Sequence, residues 1–289
     1  HISDQSLLIA GGAAGIAAAF NTPLGGVMFA IEELSKKTDQ RSNSLVLVAI
    51  VVAGLMGVSA YGNASYFGII RVEGFGSALI FPAILVAICC GVAGGLFSRL
   101  LIVSLAESSS DWFSKIRRNF PIFFAAGCGL AVAILGVVSN GETYGSGYAH
   151  NRAMLENTND TSSMYVLLKF VATWLSTWAG VPAGVFAPSL AIGGALGNDI
   201  AQLTSYDNAP TLIALGMAGF LAAVTQAPLT AFIIVMEMVD GHALVLSLMA
   251  SAMVASGVSR LISAPLYPSL AELQLLRIKK PVTPAKQRD

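Results

Sequence analysis

Two stretches without a single charged residue, Ser77 to Ser98 and Pro121 to Asn140, constrain this chain more than any other feature. A straight helix needs about 20 apolar residues to cross a hydrocarbon core, and both runs are long enough. The rest of the chain agrees: 55% of residues are apolar, 11% are charged and the mean hydropathy is +0.72. A soluble domain carries about 25% charged residues. The composition therefore predicts an all-α integral membrane protein whose surroundings are a lipid bilayer. A net charge of zero leaves no electrostatic footprint for nucleic acid. Cys89, Cys90 and Cys128 all sit inside apolar runs without metal-ligand spacing and read as small core residues. No metal or organic cofactor is expected.

Hydropathy marks candidate membrane segments at Ser6–Phe20, Pro23–Leu34, Leu45–Tyr61, Ala78–Leu105, Pro121–Val138, Met164–Trp178, Val185–Leu203, Pro210–Val224, Pro228–Met238 and Ala243–Ile262. A shorter amphipathic stretch, Leu270–Leu276, leads into a basic tail. Several segments are too short to cross alone. In this composition they predict tilted, broken and re-entrant helices, whose free backbone ends line a polar cavity. Basic residues gather at Lys36, Lys37 and Arg41, at Lys115, Arg117 and Arg118, and from Arg277 to Arg288. The positive-inside rule places these three clusters on the cytoplasmic face, and the loops Gly62–Gly76 and Asn140–Ser162 outside.

The chain also repeats itself. Gly12-Ala13-Ala14-Gly15-Ile16-Ala17-Ala18-Ala19 aligns with Gly216-Met217-Ala218-Gly219-Phe220-Leu221-Ala222-Ala223; after a one-residue slip, Pro23-Leu24 meets Pro228-Leu229 and Glu32 meets Glu237. Each copy is a small-residue helix, a polar break ending in proline, and an apolar helix carrying a carboxylate. Small residues at this spacing let helices approach closely in lipid. Internal repeats, often of inverted topology, are the usual build of secondary transporters. The chain divides into the C-terminal end of a first membrane repeat (residues 1–64), a second repeat (77–264), and an inner helix with a basic cytoplasmic tail (265–289). It begins His1-Ile2-Ser3 with no signal-peptide pattern. The repeat offset would put the partner of the Val185 region about 20 residues before His1, so the N-terminal part of the first repeat is expected to be missing.

The segment Gly180-Val181-Pro182-Ala183-Gly184-Val185-Phe186-Ala187-Pro188 precedes an apolar helix. Pro182 and Gly184 disfavour helix before Val185, whereas Pro188 is tolerated in a first turn. The helix would start near Val185, with free N–H groups at the positive end of its dipole. Such a start is either an ordinary loop-to-helix junction or an anion site that needs no cationic side chain. Glu32 and Glu33 precede Lys36 and Lys37 by four residues, the favourable order for helix ion pairs. The opposing reading is a partly desolvated carboxylate that loads and releases protons. Glu237, between Met236 and Met238, poses the same choice and reads first as structural. Lys169 raises the same question.

Gly184-Val185-Phe186-Ala187-Pro188 resembles an anion-binding motif of the CLC chloride channels and transporters. Asn21-Thr22-Pro23-Leu24 through Phe29-Ala30-Ile31-Glu32-Glu33 is similar to that family's helix ending in a glutamate pair, and Pro265-Leu266-Tyr267 to its late proline-leucine-tyrosine. The three occur in family order. The resemblance implies a CLC-type inverted-repeat bundle working as a homodimeric chloride/proton antiporter, with one anion path in each subunit. It further implies that the Val185 and Phe186 amides and the Tyr267 hydroxyl hold chloride, with Gly184 and Pro188 shaping the helix start. Glu33 would transfer protons, with Glu32 in support. A short C-terminus resembles bacterial members and implies the bacterial inner membrane. A passive voltage- or pH-gated CLC channel is the nearest alternative; an intramembrane enzyme using Glu32 or Glu33 lacks any accompanying nucleophile–histidine or metal set. The family's gating glutamate and its ion-contacting serine would both lie before His1.

Overall fold

The computed structural model describes residues 4–34, 40–62, 66–68, 76–106, 112–156, 164–181 and 183–279. Lys36, Lys37, Pro182 and the tail beyond residue 279 lie outside them. Among the described residues all regular structure is helical.

The first repeat ends in three elements: α1 (Asp4–Phe20), α2 (Pro23–Phe29, continuing as a π turn over Ala30–Leu34) and α3 (Gln40–Tyr61). The second contributes α4 (Ile80–Leu105), α5 (Trp112–Asn119), α6 (Pro121–Val138), α7 (Tyr148–Leu155), α8 (Tyr165–Trp178), α9 (Phe186–Thr204), α10 (Ala209–Thr225), α11 (Pro228–Met238) and α12 (Val245–Arg260), followed by α13 (Leu266–Lys279). Among the described residues, Ser77–Leu105, Pro121–Val138 and His242–Arg260 are long and apolar enough to cross a membrane. The apolar segments Asp4–Phe20, Ser44–Ala60, Ala209–Thr225 and Pro228–Met238 are shorter, as broken segments require.

The repeat seen in the sequence is a repeat in space. Asn21 and Gln226 both take left-handed conformations, with φ of 52° and 59°. Each ends a small-residue helix, and each is followed one residue later by proline at the start of the next helix. α1 packs on α2 and α3 as α10 packs on α11 and α12. The N-terminus of α2 lies against Glu237 near the end of α11, and the N-terminus of α11 against Glu32 at the end of α2. These two helices are therefore antiparallel neighbours, the arrangement that inverted repeats demand.

α10 forms the centre. Every residue from Thr211 to Val224 is buried, against α9, α4, α12 and α11. Glycine makes this possible at one crossing: a methyl on Gly193 would strike the Gly216 carbonyl oxygen, and one on Gly216 the Gly193 oxygen. The α10 carbonyls also accept side-chain donors from flanking helices. Ser98 Oγ donates to Val224 O at 2.9 Å, Ser251 Oγ to Leu215 O at 3.0 Å, and Ser259 Oγ to Ala223 O. Cys90 Sγ lies 3.6 Å from Gly216 O, in keeping with its reading as a small core residue. In lipid, where apolar burial gives little drive, such backbone approach and hydroxyl bonding hold helices together.

Candidate functional site

α9 begins where expected. Val185 is its capping residue, and no side chain satisfies the first-turn amides. Ser189 closes the first turn, its N–H and Oγ both donating to Val185 O at 3.0 and 2.6 Å. Pro188 has no N–H to offer. The amides at the start of the turn are thus left without intrahelical acceptors, at the positive end of a 19-residue helix. Gly184, Phe186, Ala187 and Pro188 open onto a cavity of about 360 Å³.

Across that cavity stands Lys169, only 2% exposed. Its ammonium donates to the carbonyls of Thr143 at 2.8 Å and Gly145 at 2.7 Å. This pins the outer turn to α8 and keeps a positive charge beside the cavity. Thr173 and Thr177 line the same wall, with their hydroxyls bonded back to the i−4 carbonyls. A helix dipole and a buried ammonium facing one cavity favour an anion there.

The Phe186 ring connects this start to the first repeat. It lies 5.5 Å from Phe20 at the end of α1 and 6.4 Å, edge-on, from Phe29 at the end of α2. Phe20 meets Tyr66, and Tyr66 meets Tyr148, whose hydroxyl donates to Tyr66 O. Tyr267 falls in the first turn of α13, which starts four residues before the amphipathic stretch read from the sequence. Val185 and Phe186 belong to the main apolar cluster, and Tyr267 packs against it. The Glu33 carboxylate acts electrostatically on the Tyr267 phenol. Tyr267 is thus associated with Glu33, the half-buried second member of the glutamate pair.

Glu32 and Glu237 each hold a helix end. Glu237 accepts from the N–H groups of Leu24 (3.1 Å) and Gly25 (2.8 Å), and Glu32 from Leu229 (3.2 Å) and Thr230 (2.6 Å). The structural reading of Glu237 matches this geometry. For Glu32, the proposed ion-pair partner Lys36 lies outside the described residues, and its carboxylate is engaged on α11. The donating amides are not identifiable from local sequence pattern alone. The repeat alignment held the signal, because it sets Leu24 opposite Leu229 as well as Glu32 opposite Glu237.

Inverted repeats, broken helices and a helix start open to a cavity beside a buried ammonium define an integral membrane protein of the channel and secondary-transporter class. A family profile described as voltage gated chloride channel matches residues 1–260, and the chain belongs to that family. It is similar to the H(+)/Cl(-) exchange transporter ClcA of Cronobacter sakazakii, with 26% identity over 281 residues covering 92% of this chain and 59% of that protein. The ClcA of Vibrio parahaemolyticus is 27% identical over 279 residues, covering 92% and 59%. The chain thus spans about three-fifths of the length of these relatives. Its fold matches a CLC-type fluoride/proton antiporter with a TM-score of 0.77 at 24% identity, covering 91% of this chain and 65% of that one. A slow cyanobacterial Cl-/H+ antiporter gives 0.76 at 24%, covering 96% and 67%.

Proposed function

We propose that this chain carries the anion-binding and proton-coupling part of a chloride/proton antiporter of the bacterial inner membrane. The observation that carries the reading is the uncapped start of α9, facing a cavity that Lys169 makes electropositive. The Val185 and Phe186 amides would hold chloride without a fixed positive charge in contact, so that the ion can leave again. Tyr267 would add one neutral hydroxyl donor. Glu33, associated with that tyrosine, would deliver the proton. The names of the curated relatives support chloride as the anion. The chain's own residues account for binding and coupling, with no cofactor. A second copy of the chain would cover the apolar surface of the α2–α11 pair, where Leu24, Ile31 and Leu229 are exposed.

The test is the reversal potential of the reconstituted protein under a fixed chloride gradient, with and without a proton gradient. Exchange predicts a shift with the proton gradient, abolished by Glu33→Gln while anion flux persists. A potential that follows chloride alone would make the protein a passive channel. Proton coupling retained in Glu33→Gln would remove Glu33 from the path.

A further inference from the structure

We infer that Glu32 and Glu237 form a reciprocal clamp between the two repeats, and that Glu32, anchored on α11, is the positioning residue that orients Glu33. The second half rests on the reading of Glu33 as the proton-carrying group.

The clamp is symmetric to the residue. Leu24 and Gly25 stand 205 positions before Leu229 and Thr230, and Glu32 stands 205 before Glu237. Each carboxylate takes two amides of the other repeat's helix, at 2.8 and 3.1 Å on one side and 2.6 and 3.2 Å on the other. Neither helix caps itself. Ala227, which precedes α11, has no side chain able to do so. Thr22, which precedes α2, has one, yet makes no capping bond, and its buried hydroxyl is left without a partner. Orphan first-turn amides and the helix dipole favour an ionised carboxylate, and a carboxylate among apolar helices needs such donors. Each repeat thus supplies what the other lacks.

The copies differ at the next residue. After Glu237 comes Met238, fully buried in a helix that stays α-helical. After Glu32 comes Glu33, in a turn widened to π geometry over Ala30–Leu34. Such single widened turns re-aim side chains and recur at functional sites. Anchoring Glu32 sideways on α11 fixes the azimuth of this turn and directs the following carboxylate toward Tyr267. Glu32 therefore has two consequences, repeat contact and Glu33 orientation, whereas Glu237 has only the first.

Two readouts separate the parts. Amide hydrogen exchange is measured on the purified full chain in detergent, and the proton-to-chloride flux ratio on the reconstituted protein. Glu32→Ala is expected to cut protection at Leu229 and Thr230 by roughly 10- to 100-fold, the range for hydrogen bonds to a charged acceptor. It should also lower the flux ratio while chloride flux continues, and Glu32→Gln, which keeps an accepting oxygen, should restore part of both. Glu237→Ala is expected to cut protection at Leu24 and Gly25 and leave the ratio unchanged. Unaltered protection in Glu32→Ala overturns the clamp. Altered protection with an unaltered ratio, or an equal fall in Glu32→Ala and Glu237→Ala, overturns the positioning role. If Glu33→Gln itself keeps proton flux, the proton reading fails, and the exchange data still decide the clamp. Should Glu32→Ala not fold, Glu32→Gln and Glu237→Ala decide the same questions on intact protein.

Discussion

The crossing of α9 and α10 makes the sharpest stability prediction. In Gly193→Ala the new methyl would clash with the Gly216 carbonyl oxygen, and would also lie 2.7 Å from Phe220 Cβ. Carbon–oxygen contacts relax to roughly 3.3–3.6 Å, so the helices would have to part by on the order of 1 Å. That separation loosens the reverse contact of Gly216 on Gly193 and the nearby packing of Gly197 on Leu212. Overpacking of a close-fitted core costs about 1–3 kcal/mol, offset by roughly 0.5–1 kcal/mol from replacing glycine with alanine in a helix. At the midpoints of these ranges a net loss of about 1.2 kcal/mol follows. Gly129→Ala in α6 is the control, since a methyl there meets nothing within 4 Å, and it should be neutral or stabilising. Equilibrium unfolding in mixed micelles would report both, followed by the fluorescence of Trp174 and Trp178, which stack at 4.9 Å. If Gly193→Ala matches the parent within about 0.5 kcal/mol, close backbone approach does not hold α9 to α10. The start of α9, two turns away, would then owe its position to something else.

The donors onto α10 fall into two cases. Ser251→Ala is expected to lower stability by about 0.5–1.5 kcal/mol, because Leu215 O lies mid-helix and keeps its helix bond. Ser259→Ala should cost about 1–3 kcal/mol, because Ala223 O lies in the last turn and the Ala227 N–H that would meet it donates to Thr225 Oγ1. Mixed-micelle unfolding measures this too. His150, in the short α7 outside the spanning helices, stacks on Tyr165 at 3.7 Å. Burial first, and the Lys169 ammonium second, hold its imidazole down at about 4. The unfolded imidazole titrates near 6.5, so the stability it contributes is present above that pH and is lost as pH falls from 6.5 toward 4. The unfolding midpoint should decline over this window in the parent and less so in His150→Phe.

Much of this is legible in the sequence, for identifiable reasons. Hydropathy finds α6 and α11 to the residue because proline starts each and the apolar run ends with the helix. It misses α5 and α7, whose eight residues each include charges or polar groups and whose positions follow from packing. It also starts α13 too late, because Pro265 and Pro268 look like breakers when both are compatible with a helix start. Glu32 and Glu237 stood out as repeat partners, but the amides that donate to them lie 197 to 213 positions away, a separation that local pattern does not encode. The π turn is equally silent in sequence. Lys169 could be noticed, but not its two carbonyls, which belong to a turn shaped by left-handed Gly141, Gly145 and Gly147.

The departures from symmetry carry the functional argument. A carboxylate in an apolar bundle is expensive unless donors meet it. Glu32 and Glu237 are each met by two amides at equivalent places, as expected of a cost that serves the fold and is therefore duplicated with it. Glu33 has no such twin, for its counterpart is Met238. α10 is buried from Thr211 to its end while α1 buries one face, with Leu7 and Leu8 largely exposed on the other. A role required only by architecture should appear in both repeats. One that appears once, on a widened turn and acting electrostatically on Tyr267, is better explained by a role peculiar to that repeat. Installing the missing twin tests this: Met238→Glu should destabilise the fold, because that site is fully buried, without adding a second proton path. A gain of proton flux from Met238→Glu would show instead that the two repeats are functionally interchangeable.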